Sequence, residues 1–116
     1  MKKFLLALDL KEDIELIKEY DQWHQKVWPE VLKSISDSGI LKMEIFRFYN
    51  RLCMVMETTD EFSFEQKGKM DKDNKRVQEW EELMWDFQQG IPGAKSGEKW
   101  VLMNIRFKSA IKWPHI

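Results

Sequence analysis

The 116-residue sequence holds one cysteine, two histidines and three prolines, and it carries almost no excess charge. Each scarcity closes a class of function. A single cysteine, Cys53, cannot form an internal disulfide, which fits a reducing compartment and a cytoplasmic protein. Histidines stand only at 24 and 115, with no short Cys/His or His/His spacing, so a structural zinc motif is missing. With 19 basic residues against 20 acidic ones and a net charge of -1, the chain has no broad surface for nucleic acid. No apolar run approaches the ~20 residues that a membrane span requires. The opening Met1-Lys2-Lys3-Phe4-Leu5-Leu6-Ala7-Leu8 imitates a signal peptide. Asp9, Lys11, Glu12 and Asp13 interrupt it before an apolar core or cleavage site is complete.

What is present favours a globular fold. Hydrophobic residues make up 43% and aromatic residues 13%, more than a disordered chain carries. The length suits one domain, 1–116, with a core over about 3–107 and a C-terminal tail at 108–116. Cys53, within the strand-like run Leu52-Cys53-Met54-Val55-Met56, reads as a buried inert thiol; a nucleophile pair requires the fold to bring His24 beside it.

Phe4 to Leu10 is apolar at both parities and ends in charge, which predicts a strand followed by a helix start. Ile14, Ile17, Tyr20, His24 and Val27 recur at helical spacing, and Pro29 breaks that helix near Trp28. A second helical piece begins at Pro29, with Val31, Leu32 and Ile35 as its apolar side, and stops at Asp37-Ser38-Gly39. Strands follow at Leu41 to Tyr49 and Leu52 to Thr58, with Asn50-Arg51 as the hairpin turn. Thr59 to Asn74 is polar and reads as a solvated loop with a helical turn at most. Asn74 is a cap for the helix that carries Val77, Trp80, Met84 and Phe87 on one face. Gly90-Ile91-Pro92-Gly93 ends it, and the last strand is Lys99 to Phe107.

The order β-α-β-β-α-β is that of a ferredoxin-like α+β domain, an antiparallel sheet with helices on one face. The strands are apolar on both faces: Phe46 and Phe48 on one, Met43 and Ile45 on the other. A sheet with one wet face alternates apolar and polar residues. The second face therefore calls for a cover, and a second copy of the chain supplies it by two-fold symmetry. The expectation is a homodimer in the form of a dimeric α+β barrel, with a concave small-molecule pocket beneath each sheet.

Tyr20 and His24, four apart, share one helix face. One reading is an amphipathic edge, with the histidine bonded to a backbone carbonyl. The other is a carbohydrate site, because Trp23, Trp28, Pro29 and Glu30 crowd the same stretch. Tryptophan faces stack on the apolar face of a sugar, and Glu30 and Glu57 can accept hydroxyl hydrogens. Trp80 and Trp85 are candidates for the same stacking or for plain packing.

The block Tyr20-Asp21-Gln22-Trp23-His24-Gln25-Lys26-Val27-Trp28-Pro29-Glu30-Val31 resembles the Tyr-x3-His-x3-Trp-Pro-Glu signature of the L-rhamnose mutarotases. Asn50 to Glu57 is similar to that family's central hairpin, and Trp80-Glu81-Glu82-Leu83-Met84-Trp85 and the strand after Glu98 also correspond. The resemblance spans about residues 3 to 107. It implies a cofactor-free, homodimeric aldose 1-epimerase for a 6-deoxy sugar, with Tyr20 and His24 catalytic; Trp28, Glu30, Glu57, Trp80 and Trp85 are, by residue type, the candidates for contact with the substrate. Met43, Glu44 and Phe46 depart from the more tyrosine-rich second strand of the rhamnose enzymes, and the pattern resembles a branch associated with L-fucose. The residue types agree with the chemistry. Mutarotation needs a base for the anomeric hydroxyl and an acid for the ring oxygen, and it needs no metal or nucleotide. A histidine of ordinary pKa ~6.5 serves either role near neutrality, and a tyrosine at ~10 serves as donor. The architecture alone would equally suit a small oxygenase or haem-degrading enzyme, or a sugar-binding module without catalysis.

Overall fold

The computed structural model describes residues 1–109; His115 and the Lys112-Trp113-Pro114 segment lie outside the described residues. The elements are β1 (Lys2–Leu10), α1 (Ile14–Trp23), α2 (Pro29–Asp37), β2 (Ile40–Phe48), β3 (Arg51–Thr58), α3 (Phe64–Lys72), α4 (Lys75–Trp85), β4 (Gln88–Gln89) and β5 (Val101–Met103). The sheet runs β2-β3-β1, and β4 and β5 share the remaining edge of β1, every pairing antiparallel. This is the ferredoxin-like order in an α+β fold, with each helical crossover built from two helices.

Strand parity separates the two faces. Leu6, Leu8 and Leu10 stand in register with Met54, Leu52 and Gln88, and they join the helices in the core. Leu8, Leu10 and Leu52 are fully buried, each worth roughly 1.5–3 kcal/mol of transfer free energy. The opposite face carries Leu5, Val55, Phe46 and Met103. No helix covers it among the described residues, and Phe46 is 56% exposed and Met103 50%.

Four local expectations are corrected. Thr59 to Asn74 is not a loop, for it contains α3. Ser63 accepts from the Gln66 amide at 3.0 Å and caps this helix, and Ser63-Phe64-Glu65-Gln66 has the Ser-x-x-Gln spacing of a capping box. Lys67–Asp71 at 2.7 Å and Lys69–Glu65 at 3.6 Å add pairs one turn apart. No residue of α3 is buried, so no hydrophobic period announces it.

α1 ends at Trp23 rather than near Trp28. The His24 amide closes the last turn onto Tyr20 O, and tighter turns follow from Gln25 to Gln22 O and Lys26 to Trp23 O. The helix therefore stops before Pro29 can break it. The hairpin turn is Tyr49-Asn50, one residue early, with Tyr49 in the left-handed region at φ 51°. Asn50 instead ties the turn to β1, donating from Nδ2 to Leu10 O at 3.0 Å.

The final strand is three residues long, not the nine from Lys99 to Phe107. Met103 pairs with Leu5 and Val101 with Ala7, so Lys99 would next meet Asp9. That position on β1 is already taken by Gln89. Division of this strand edge between two partners keeps the final strand from starting at Lys99.

Candidate active site

A cavity of about 900 Å³ opens between the sheet and the helices. Its apolar wall includes Met43, Ile45, Met54 and Met56 from β2 and β3, and its other wall brings in Tyr20, His24, Trp80 and Gln88. α1 supplies the first two of these. Asp13 caps the start of α1 by accepting from the Glu15 and Leu16 amides. Asp21 near its end is held by Arg47 of β2 through bonds of 3.0 and 2.5 Å. A bidentate pair of this kind fixes geometry as well as charge.

His24 sits at the helix end, half-buried, with its ring centroid 4.2 Å from that of Tyr20 and 5.6 Å from that of Trp80. Its Nδ1 lies 3.0 Å from Tyr20 O. A carbonyl only accepts, so Nδ1 carries the hydrogen and Nε2 keeps its lone pair. Burial lowers the histidine pKa from its ordinary value, against the smaller opposing effects of the Tyr20 carbonyl and Asp21. The ring is thus neutral at pH 7 and basic at Nε2.

Tyr20 is 3% exposed. Burial pushes its phenol well above the ordinary range, only partly opposed by the Gln88 amide. That amide is near enough to act on the ionisation, yet Tyr20 Oη and Gln88 Oε1 are both buried without a hydrogen-bond partner. Burial thus drives the two titratable groups apart, the imidazole toward its neutral form and the phenol toward its protonated form.

The other anticipated residues are distributed unevenly. Trp80 is 5% exposed and lines the cavity, with Trp23 and Trp28 packed edge-on against it. Trp28 stands one layer back, half-buried, with the Arg76 guanidinium 3.9 Å from its ring centre. Glu30 lies 3.9 Å from Arg76 and outside the cavity wall. Trp85 is at the surface beneath Lys99. Glu57 falls on the opposite sheet face, in register with Lys3 and Lys42. Cys53 shares that face, so it does not meet His24. The structure thus brings Tyr20, His24 and Trp80 together directly, with Trp28 behind them.

Sequence reasoning missed several polar wall residues. Asp71 accepts from Ser34 Oγ at 3.0 Å and from Lys67 Nζ at 2.7 Å, and all three line the cavity. Glu81 and Lys99 pair at 3.3 Å on the same wall. The Ser63 capping box was a usable signal for the helix that brings Lys67 and Asp71. Nothing local marks Gln88.

Comparison with known proteins shows the family. The family model for L-rhamnose mutarotase matches residues 3–109. An L-fucose mutarotase of Xanthomonas campestris pv. campestris is 42% identical over 102 residues, 86% of this chain and 82% of the relative. An L-rhamnose mutarotase of Phocaeicola vulgatus is 32% identical over 94 residues, 79% and 85% of the two chains. The crystal structure of an L-rhamnose mutarotase from Formosa agariphila shares the fold, with a TM-score of 0.69 at 18% identity over 94% of this chain and 99% of that one. The chain belongs to the L-rhamnose mutarotase family, a family of sugar epimerases.

Proposed function

We propose that the protein is a cofactor-free mutarotase that interconverts the α and β anomers of a 6-deoxy-L-sugar, L-fucose in preference to L-rhamnose. The observation that carries this reading is His24 held with Nε2 free beside a buried, unpartnered Tyr20 hydroxyl. In the forward step His24 Nε2 takes the proton of the anomeric hydroxyl. The C1–O5 bond breaks as its electron pair goes to O5, and Tyr20 gives O5 its proton. The aldehyde turns about C1–C2. Closure then returns the O5 proton to the Tyr20 oxygen and the histidine proton to O1 on the new face. An acid/base pair of this kind supplies about 10²–10⁴-fold.

The methionine-rich wall supports the 6-deoxy assignment. A methyl at C6 fits against Met43, Met54 and Met56, whereas a hydroxymethyl would bury an unpaired hydroxyl at ~1–3 kcal/mol. L-fucose and L-rhamnose are expected to exchange about five- to 150-fold faster than L-galactose and L-mannose, given that cost. Magnetisation-transfer NMR on the four sugars checks this, and equal rates within each pair would remove the methyl-pocket argument. The L-fucose preference is supported by Met43 at this wall and by the 42% identity to a protein named L-fucose mutarotase.

The apolar patch of Leu5, Phe46, Val55 and Met103 on the uncovered sheet face supports a homodimer joined through it, the dimeric form of the α+β barrel. Light scattering is expected to give twice the 14.1 kDa of one chain, and Phe46→Glu, which places a charge in that face, is expected to give monomers. A wild-type monomer at micromolar concentration would refute the assembly.

A further inference from the structure

The cavity has a second polar end, built by α2 and α3. Ser34 Oγ donates to Asp71 Oδ1 at 3.0 Å, and Lys67 Nζ donates to Asp71 Oδ2 at 2.7 Å. All three residues line the cavity. The group is held from several sides. Lys67 and Asp71 stand one turn apart on α3, Ser34 is buried on α2, and Gln78 of α4 donates from Nε2 to the Asp71 carbonyl at 2.9 Å.

These bonds leave capacity over. A carboxylate offers about four acceptor positions and an ammonium three hydrogens; here Asp71 uses two of its positions and Lys67 one hydrogen. Their side chains remain 20% and 22% exposed, so the spare positions are accessible. The charges cancel within the group, as they do for Lys99 and Glu81 on the same wall. Such a wall suits the hydroxyls of an uncharged sugar. A phosphate or carboxylate on the substrate would bury a charge that no unpaired cation among the described wall residues meets.

The place of the group along the cavity follows from α2. Val31 packs in the cluster that holds Tyr20 and Trp80. Ser34 comes three residues later, ~4.5 Å along the helix axis. That step is comparable with the width of one pyranose ring.

We propose that Ser34, Lys67 and Asp71 bind the C3 and C4 hydroxyls of the sugar and read the configuration at C4. This rests on the mutarotase reading, in which His24 and Tyr20 hold C1 and O5. In a six-membered ring the bond opposite C1–O5 is C3–C4, with C2 and C5 on the flanks. A ring lying along the cavity with C1 and O5 at the catalytic pair therefore brings its C3–C4 edge to the second polar end. There Asp71 accepts from the hydroxyls and Lys67 donates to their oxygens. L-Fucose carries the C4 hydroxyl axially and L-rhamnose equatorially, so donors and acceptors fixed by three helices distinguish them. A site built to bond a hydroxyl disfavours a ligand that leaves it unpaired.

The two sugars also differ at C2, and two further sugars separate the positions. 6-Deoxy-L-talose is L-fucose inverted at C2 alone, and 6-deoxy-L-glucose is L-fucose inverted at C4 alone. The experiment measures anomer exchange of all four by magnetisation-transfer NMR, each relative to its rate without protein. Wild type is expected to exchange 6-deoxy-L-talose about as fast as L-fucose. 6-Deoxy-L-glucose is expected at least about tenfold slower, the loss of one hydrogen bond to a charged group. Asp71→Asn keeps the side-chain shape and an acceptor for Ser34 but removes the charge. It should slow L-fucose at least about tenfold, mostly through KM, because a contact far from C1 is made equally in ground and transition states. It should also close the gap to 6-deoxy-L-glucose. The wild-type comparison requires no variant, so an unstable Asp71→Asn protein leaves the test in force. Equal rates for L-fucose and 6-deoxy-L-glucose, a tenfold loss on 6-deoxy-L-talose instead, or a C4 preference preserved in folded Asp71→Asn would each overturn the assignment while the mutarotase reading stands. A wild type that exchanges no sugar at all refutes that reading and takes this assignment with it.

Discussion

Replacing His24 by alanine is expected to lower anomer exchange by about 10²–10⁴-fold, the contribution of a positioned general base. The fold should persist. The last turn of α1 keeps its backbone bond from residue 24 to Tyr20 O at 3.2 Å, and only the half-buried imidazole between Tyr20 and Trp80 is lost. The pH profile provides an independent check. Burial lowers the His24 pKa from its ordinary value of 6.5, so the neutral, active form prevails at pH 7 and above. As pH falls below 6.5 through that lowered pKa, the ring gains a proton and the rate should drop; it should not drop between pH 7 and 8. Tyr20→Phe completes the test. It removes a hydroxyl that has no partner in the folded protein, so it should slow exchange with no loss of stability. Full activity in His24→Ala would move proton transfer to a carboxylate of the cavity wall, Glu81 or Asp71, since Glu30 and Glu57 lie elsewhere.

Trp80→Ala is expected to destabilise the protein by about 3–5 kcal/mol, the usual cost of emptying a buried tryptophan site. Total stabilities of about 5–15 kcal/mol make this a large fraction. The reason is the position of Trp80 at the centre of an aromatic cluster, with the rings of Trp28, His24 and Trp23 at 5.1, 5.6 and 6.4 Å. Its loss would also release the ring that backs His24, so activity and stability should fall together. Trp80→Phe separates the two roles by keeping a smaller aromatic face. Urea unfolding measures the first effect and NMR exchange the second. A Trp80→Ala protein within 1 kcal/mol of wild type would show that the ring lies against solvent or ligand rather than in the core.

The proposed catalytic pair could be read from the sequence because it is local. Tyr20 and His24 are one helical turn apart, and a spacing of four places two side chains together whatever the rest of the fold does. The same holds for the Tyr-x3-His-x3-Trp-Pro-Glu block, which lies within eleven residues, from Tyr20 to Glu30. Glu57 and Trp85 could not be placed this way. The position of Glu57 depends on strand parity across the β2–β3 pair, and a shift of one residue in that pairing would turn it to the other face. Trp85 sits on α4 one residue from Met84, and that step of about 100° carries it out of the core to the surface.

By itself, the order of apolar segments determined the ferredoxin-like α+β arrangement, and the spacing of Tyr20 and His24 determined that their side chains lie together. Hydrophobic period and helical repeat are properties of neighbouring residues, so both were already present in the chain. No apolar stripe marks α3, whose local signals are a cap and ion pairs one turn apart; the tertiary structure decided that it packs on α4. It alone decided that β4 takes the end of β1 from the final strand. That competition between distant segments for one strand edge turns Gln88 into the cavity beside Tyr20, and no local pattern records it.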